Sequence, residues 1–170
     1  MKRSIVLSCL FFLCLIGTSV FAKEKSLIGE TAWIEVGTVS FAYLARIDTG
    51  ARVTSIHAVN VEIKDASSVP DENIGKTVSF QTINRDGKTQ KITSRITKVS
   101  IVKNSQGTEQ RYVIELPLAW KHVKKKVQVN LRDRSKMTYK LLIGRNFLSH
   151  DFLVDVDKKA EKKGAGTNAN

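Results

Sequence analysis

The chain has 170 residues and carries 28 lysines and arginines against 16 aspartates and glutamates, a formal net charge of +12. Its two cysteines, Cys9 and Cys14, both lie in an N-terminal apolar segment. Beyond that segment the chain has no residue for a disulfide, a thiol nucleophile or a cysteine-ligated zinc ion. The remaining length is sufficient for one domain with a hydrophobic core.

Residues 1–22 have the layout of a secretory signal peptide. Lys2 and Arg3 precede an apolar run from Ile5 to Ile16, and compact residues follow up to Ala22. That run is shorter than the roughly 20 apolar residues that span a bilayer, which favours cleavage near Ala22 over an uncleaved membrane anchor. We therefore expect a periplasmic or secreted protein.

The basic residues are concentrated in a segment between Trp120 and Met137. In a cytosolic protein such charge would suggest that the protein binds nucleic acid. We do not expect this of an exported chain, for which an anionic envelope surface is the nearer partner. The plainer alternative is a solvated strand pair or long loop, in which lysines keep the protein soluble and its sheet edges unpaired. The residues concerned in this basic segment, 121–136, are Lys121, Lys124, Lys125, Lys126, Arg132, Arg134 and Lys136.

Between Ser26 and Val156 the dominant pattern is the alternation of apolar and polar residues, which is typical of strands with one buried face. Tight turns are predicted at Asn84–Gly87 and Asn104–Gly107, where glycine follows polar residues between alternating segments. This pattern favours an all-β barrel or sandwich. Strands are predicted over 39–47, 53–63, 78–80, 92–101, 112–116, 123–131 and 152–156.

Two further segments lie at the C-terminal end of the chain. Residues 144–150 predict the single short helix of the domain. Residues 158–170 mix lysine, glycine, alanine and asparagine without a large apolar residue, which predicts a disordered basic tail. The folded domain is therefore expected over residues 23–157.

The main candidate for chemistry is Asp48-Thr49-Gly50-Ala51. An apolar strand delivers a carboxylate into a turn where Gly50 permits a close backbone approach. The Thr49 hydroxyl can lock this turn, and the amides around Gly50 can hold the carboxylate by hydrogen bonds. The alternative is an ordinary turn, because aspartate and glycine are common turn residues.

A second segment, Leu141 to Leu148, is an apolar strand that leads through Gly144 and Arg145 into the short helix. Together with the Asp-Thr-Gly turn it resembles the retropepsins, the single-domain aspartic proteases of retroviruses and their bacterial relatives. The closer resemblance is to the exported bacterial branch of that family. Its members share the sequence found here at Ile47–Ala51, Ser55, His57, Gly144-Arg145 and Phe152–Asp155.

Some members of that branch carry the label ATP-dependent zinc protease. The chain contains neither a glycine-rich phosphate loop nor a His-Glu-x-x-His pair. Its three histidines, His57, His122 and His150, are scattered along the sequence. We therefore expect no cofactor and no metal site.

The resemblance implies an all-β, retropepsin-like closed barrel with one short C-terminal helix. It also implies an aspartic peptidase, in which two carboxylates share one proton and activate water against a peptide or protein substrate. Because the chain holds a single Asp-Thr-Gly, the second Asp48 would come from a twin subunit of a homodimer. The alternative is a non-catalytic module on the same fold that binds an extended peptide or an envelope component.

The residues after the turn are candidates for substrate contact. These are Ala51, Arg52 and His57. Arg46 and Arg52 flank the turn and would select acidic substrates if they point into the site, whereas they are solvated strand residues if they point outward. The alternative for His57 is a satisfied, half-buried histidine.

The resemblance also bears on the second segment and on a flap. Gly144 and Arg145 are expected to be structural, with the arginine tying the helix to nearby chain; contact with a substrate carboxylate is the alternative. A flap-like hairpin would cover the cleft, and its candidates are the turn around Asp86-Gly87 and the loop Asp65 to Gly75.

Overall fold

The structure is a computed structural model that describes residues 24–104 and 107–160. The predicted signal peptide and residues 161–170 of the predicted tail lie outside the described residues. Within them the chain forms eleven β-strands, one four-residue α-helix and one short 3-10 helix. The predicted all-β class with one short helix is confirmed. None of the described helical segments has the length and apolar character of a membrane span.

The elements follow one another closely along the chain. The segment predicted as one strand over 53–63 is two strands, because the first pairs inside the barrel and the second pairs outside it. The strands are β1 (Ser26–Gly29), β2 (Thr31–Val36), β3 (Ala42–Ile47), β4 (Thr54–His57), β5 (Val59–Ile63), β6 (Thr77–Ile83), β7 (Thr89–Asn104), β8 (Gly107–Trp120), β9 (Val123–Arg132), β10 (Leu141–Ile143) and β11 (Phe152–Asp155); the 3-10 helix is Pro70–Asn73 and α1 is Arg145–Leu148.

The central sheet closes on itself. Its strand order begins β2-β3-β10-β4-β9-β8, and β8 pairs again with β2, where Glu35 lies opposite Ala119 and Val36 opposite Leu118. Closure of this ring removes the free sheet edges of the strands that form it. The predicted retropepsin-like closed barrel is thereby confirmed.

The long strand β7 connects the barrel to an outer part of the sheet. Residues 89–95 pair with β6, and from Ile96 onward the strand pairs with β8, with a register shift between Ile96 and Lys98. Strand β5 then pairs with β6. The β5–β6–β7 meander therefore continues the sheet beyond the barrel.

Alternate residues of the barrel strands fill the interior. In β3, Tyr43, Ala45 and Ile47 are buried, whereas Arg46 between them is exposed. Burial of each large apolar side chain of this kind contributes about 1.5–3 kcal/mol. Phe147 of α1 stacks on Phe152 of β11 with ring centroids 5.3 Å apart. The helix and the last strand thus share a core with the barrel.

The first and last strands form a separate, two-stranded parallel sheet. Strand β1 pairs with β11 along its full length, and Leu27 and Leu153 of this sheet remain 46% and 56% exposed. After β11 the chain contacts the connection between β1 and β2, where the carbonyl oxygen of Lys158 accepts a hydrogen bond of 2.9 Å from the amide of Glu30. A Cβ at Gly29 would lie 2.1 Å from the same oxygen, so this crossing requires glycine.

Candidate active site

Asp48 lies directly after β3, in a turn that its own chain stabilises. Its Oδ1 accepts hydrogen bonds of 2.9 Å from the amide of Gly50 and 3.1 Å from the amide of Ala51. Its own amide donates to the carbonyl of Ile143 in β10 at 2.9 Å. Asp48 is half-buried, whereas Thr49 and Gly50 are exposed. The carboxylate is therefore held in one orientation at an accessible edge of the barrel.

Strand β10 lies between the two strands that flank this turn. It runs parallel to β3 and antiparallel to β4. At its end, a Cβ on Gly144 would lie 2.7 Å from the backbone carbon of Val53 and 3.0 Å from the carbonyl oxygen of Ala51. Because only glycine allows this approach, the chain after β10 can pass directly behind the Asp-Thr-Gly turn.

The start of α1 is bonded to the same turn. The amides of Arg145 and Asn146 donate to the carbonyls of Ala51 and Arg52 at 2.8 and 3.1 Å. The Arg145 guanidinium donates through Nη1 to the carbonyl of Thr49 at 2.8 Å and to that of Gly50 at 3.0 Å. The structure thus places Gly144 and Arg145, two residues expected to be structural, in contact with the turn.

A partly buried network of hydrogen bonds involving Thr54 and Asn146 supports the turn from behind. Asn146 Oδ1 accepts from the Thr54 amide at 3.0 Å and from the Thr54 hydroxyl at 2.9 Å, and its Nδ2 donates to the carbonyl of Gln128 at 2.7 Å. Thr54 Oγ1 in turn accepts from the Gly144 amide at 3.2 Å. Neither residue was predicted to have a role, although an asparagine directly after Gly-Arg and a threonine on an apolar strand are visible in the sequence.

The two arginines that flank the turn do not converge on Asp48. Arg46 Nη1 lies 2.7 Å from Glu30 Oε2, with which it forms an exposed ion pair. Arg52 is exposed, and its carbonyl oxygen accepts a hydrogen bond from the amide of Asn146 in α1. Ala51, the remaining candidate for substrate contact in this segment, is half-buried beside Asp48.

His57 is 3% exposed and lies at the far end of β4 from the turn. Its Nδ1 accepts a hydrogen bond of 2.9 Å from the amide of Arg134, and the Asp133 carboxylate lies 3.7 Å from the same nitrogen. Burial lowers the pKa of His57, whereas the charge of Asp133 raises it. The imidazole therefore holds the loop after β9 and lies beneath the protein surface.

Arg134 is buried, with 5% exposure, and the prediction that it belongs to a solvated basic segment is wrong. Its Nε donates to the carbonyl of Tyr139 at 2.9 Å, which fixes the side chain across its own loop. Burial, followed by the positive charges of Arg132 and Arg111, lowers the pKa of Arg134 to about 10. The negative charge of Asp48 acts in the opposite direction, so the two groups interact electrostatically.

The turn around Asp86, one of the two predicted flap candidates, does not lie over Asp48 of the same subunit. Asn84, at the base of the turn around Asp86, donates to the carbonyl of Ala42 at the start of β3, about 20 Å along the strand from Asp48. The 65–75 loop packs on β7 and β8, because Asn73 Nδ2 donates to Tyr112 Oη at 3.0 Å. The β7–β8 hairpin also projects from the barrel, since β8 pairs with β9 only from Val113 onward.

Within the part of the chain that the structure describes, no three histidine, cysteine, aspartate or glutamate side chains lie close enough together to hold a metal ion.

Comparison with known proteins agrees with this geometry. The model of the RimB-like family, described as retropepsin-like aspartic endopeptidase RimB, matches residues 27–163. A probable alpha-L-glutamate ligase of Shewanella pealeana is 33% identical over 146 residues, which cover 79% of this chain and 29% of the ligase. A protein with the same description from Desulfotalea psychrophila is 29% identical over 136 residues, which cover 77% of this chain and 28% of the ligase. The chain thus spans less than a third of the length of these curated relatives.

Among solved structures, a Legionella pneumophila protein of unknown function superposes with a TM-score of 0.65 at 22% identity, covering 81% of this chain and 98% of the other. At this identity the likeness concerns the fold alone.

Proposed function

The chain belongs to the RimB-like family of retropepsin-like aspartic endopeptidases, and we propose that it hydrolyses peptide bonds with Asp48 from two subunits. The observation that carries this proposal is the geometry of Asp48. Its Oδ1 is fixed by the amides of Gly50 and Ala51, and the turn that holds it lies at an exposed edge of the barrel.

The chemistry follows from bringing two such carboxylates together. Because Oδ1 accepts both amides, Oδ2 of each Asp48 is the oxygen available to a shared proton. The ionised carboxylate removes a proton from water, the resulting hydroxyl attacks the carbonyl carbon, and the protonated carboxyl donates its proton to the carbonyl oxygen. Collapse of the tetrahedral diol then breaks the carbon–nitrogen bond, and a proton passes to the leaving amine.

The β1–β11 sheet supports a second copy of the chain as the partner. Leu27 and Leu153 expose apolar surface on strands whose outer edges have no strand partner among the described residues. This sheet is at the Asp48 end of β3, because the carbonyl of Glu30, directly after β1, accepts from the amide of Ile47 at 2.9 Å. A two-fold contact through this surface would bury the leucines and bring the two Asp48 turns toward each other.

The substrate and the compartment are further parts of the proposal. The relatives that share this domain are described as ligases of L-glutamate, so extended peptides that contain glutamate are the first substrates to assay. The basic N-terminal start and the short apolar run that follows support export to the periplasm or beyond.

The experiment that tests this function compares digestion of a peptide library by the wild type and by Asp48→Asn, from acidic to neutral pH. We expect the substitution to reduce kcat/KM by at least about 100-fold while leaving the fold intact. The matched control is Asp86→Asn, which makes the same change at an exposed Asp-Gly turn and should keep activity within about twofold. Undiminished cleavage by a purified Asp48→Asn variant would remove Asp48 from the mechanism.

A further inference from the structure

Three buried polar atoms have no hydrogen-bond partner among the described residues: Ser55 Oγ, Arg111 Nε and Asn130 Oδ1. Their residues are 4%, 7% and 5% exposed, respectively. Buried polar atoms are normally paired, because losing water without gaining a new partner is costly. Three such atoms in one region therefore point to a buried site that acquires its hydrogen bonds from a ligand.

The three side chains share one face of the sheet. Ser55 lies opposite Asn130, and Asn130 lies opposite Val113. Residues paired in this way project to the same side of a sheet, and Arg111 is two positions from Val113 and projects to that side as well. The neighbouring residue Thr54 projects to the other face, where it joins the network behind the turn. The face that carries Ser55 is therefore the one turned away from the barrel interior.

This face also leads to the Asp48 turn. The row of paired residues continues from Ser55 to Leu142 and from Leu142 to Arg46, two residues before Asp48. At the other end, the charges of both Arg111 and Asp48 affect the pKa of Arg134. The unpaired polar atoms and the Asp48 turn thus lie along one face of the sheet.

The charge along this face is positive. Glu109 accepts from Arg111 Nη2 at 2.5 Å and lies 3.3 Å from Arg132 Nε. One carboxylate is therefore shared by two guanidinium groups, and Arg134 adds a third beside them. Guanidinium groups bind carboxylates through paired N–H donors, and they do so more strongly when they are shielded from water.

The arginines are held in place before any ligand binds. His57 receives the backbone amide of Arg134. Lys140 Nζ donates to the carbonyls of Arg134, Ser135 and Met137 at 3.0, 2.8 and 2.9 Å, which fixes the loop that carries the guanidinium. A preformed site loses little conformational entropy when it binds its ligand.

We propose that Ser55, Arg111 and Asn130, with Arg132 and Arg134 around them, form a subsite for a carboxylate side chain of the peptide substrate. Ser55 Oγ–H and Arg111 Nε–H donate to the carboxylate, and Asn130 Oδ1 accepts a backbone N–H of the extended peptide. The inference rests on the proposed function, because it takes the bound peptide to lie across the Asp48 turn. It assigns the selection of an acidic substrate residue to this subsite rather than to Arg46 or Arg52.

The test measures binding instead of turnover, by calorimetry with the Asp48→Asn protein. Two extended peptides are compared that differ only in glutamate or glutamine at one position, with that position moved along the peptide. We expect the glutamate peptide to bind at least about tenfold more tightly at one position. The preference should fall to within about twofold in Arg111→Gln. It should be retained in Arg85→Gln, the same change in the exposed turn between β6 and β7.

Ser55→Ala is the second variant, because Arg111 also pairs with Glu109 and its replacement carries a greater risk to folding. It should weaken the glutamate preference by about three- to tenfold without lowering the melting temperature. A folded Asp48→Asn protein with equal affinity for both peptides overturns the subsite, as does a preference that survives both substitutions. Displacement of the peptide by inorganic phosphate at matched concentration would also overturn the assignment to a carboxylate. Selective binding by a wild type that cleaves no peptide would refute the peptidase function and leave the subsite standing.

Discussion

Arg145 donates a hydrogen bond of 3.0 Å to the carbonyl of Gly50, which lies 95 residues earlier in the chain. The helix after the last barrel strand and the turn that carries Asp48 are therefore one structural unit. The same Nη1 atom also reaches the carbonyl of Thr49. The position of the carboxylate consequently depends on a side chain that does not touch it.

Arg145→Ala removes both of these hydrogen bonds. Because the side chain is exposed, we expect the free energy of unfolding to fall by only about 1 kcal/mol. The loss in kcat should correspond to a larger free energy than this, because the turn loses its outer support. Urea unfolding and peptide cleavage measure the two effects. The matched control is Arg52→Ala, an exposed arginine of the same segment. Equal effects of the two substitutions on kcat would contradict the role given to Arg145.

Gly144→Ala tests the close crossing behind the turn. An added Cβ would lie 2.7 Å from the backbone of Val53, which side-chain rotation cannot relieve. We expect a loss of about 3 kcal/mol in the free energy of unfolding. Gly87→Ala is the comparison, since Gly87 has a φ of +80° but open space around it, and its replacement should cost about 1 kcal/mol. Thermal or urea unfolding measures both losses. A smaller loss in the free energy of unfolding at Gly144 than at Gly87 would be inconsistent with this packing.

Leu27→Lys tests the β1–β11 surface as the contact between subunits. The side chain is 46% exposed in one copy of the chain, so the substitution should leave the stability of the monomer nearly unchanged. At the proposed contact it would bury a charge against its two-fold mate, and we expect the dimer dissociation constant to rise by at least about tenfold. Sedimentation velocity measures this, with Val69→Lys as the control at another exposed apolar position. An unaltered dimer would place the contact elsewhere.

The burial of His57 predicts a pH dependence of stability. Its pKa is lowered in the folded protein from the ordinary value of 6.5, so the unfolded chain binds a proton at this residue at higher pH than the folded chain does. The free energy of unfolding should therefore decrease as pH falls below about 6.5, and this residue should contribute no slope well above that value. His57→Gln keeps an acceptor for the Arg134 amide and should flatten the slope in urea unfolding between about pH 7.5 and about pH 5.5. His122→Gln, at an exposed histidine, should not; if both variants keep the wild-type slope, another group is responsible.

The parts of the site that could be predicted are the local ones. Asp48 and Gly50 stand in a short motif whose conformation is set by their own amides, and Gly144 follows an apolar strand, so their roles are readable from neighbouring residues. The placement of β10 between β3 and β4 depends on pairings across about ninety residues, which alternation alone does not specify. The division of the segment 53–63 has the same origin, because its halves pair with different strands.

The burial of Arg134 could not be predicted from the sequence for a different reason. It stands among Asp133, Ser135 and Lys136, a polar context that is typical of a solvated loop. In the fold its backbone amide donates to His57 of β4 and its side chain to the carbonyl of Tyr139, and the residue is buried. Ser55 and Asn130 likewise show as unpaired only once their strands are aligned. The proposed subsite is therefore visible in the fold and not in the motif.

In the proposed mechanism each catalytic centre needs Asp48 from two chains. The most direct measurement mixes wild type with increasing amounts of Asp48→Asn at fixed wild-type concentration, after exchange of subunits, and follows peptide cleavage. If mixed dimers are inactive, random pairing reduces activity to about half at a one-to-one ratio and to about a tenth at a ninefold excess of the variant. Activity that stays constant as the variant is added, with subunit exchange demonstrated, would contradict a shared pair of aspartates.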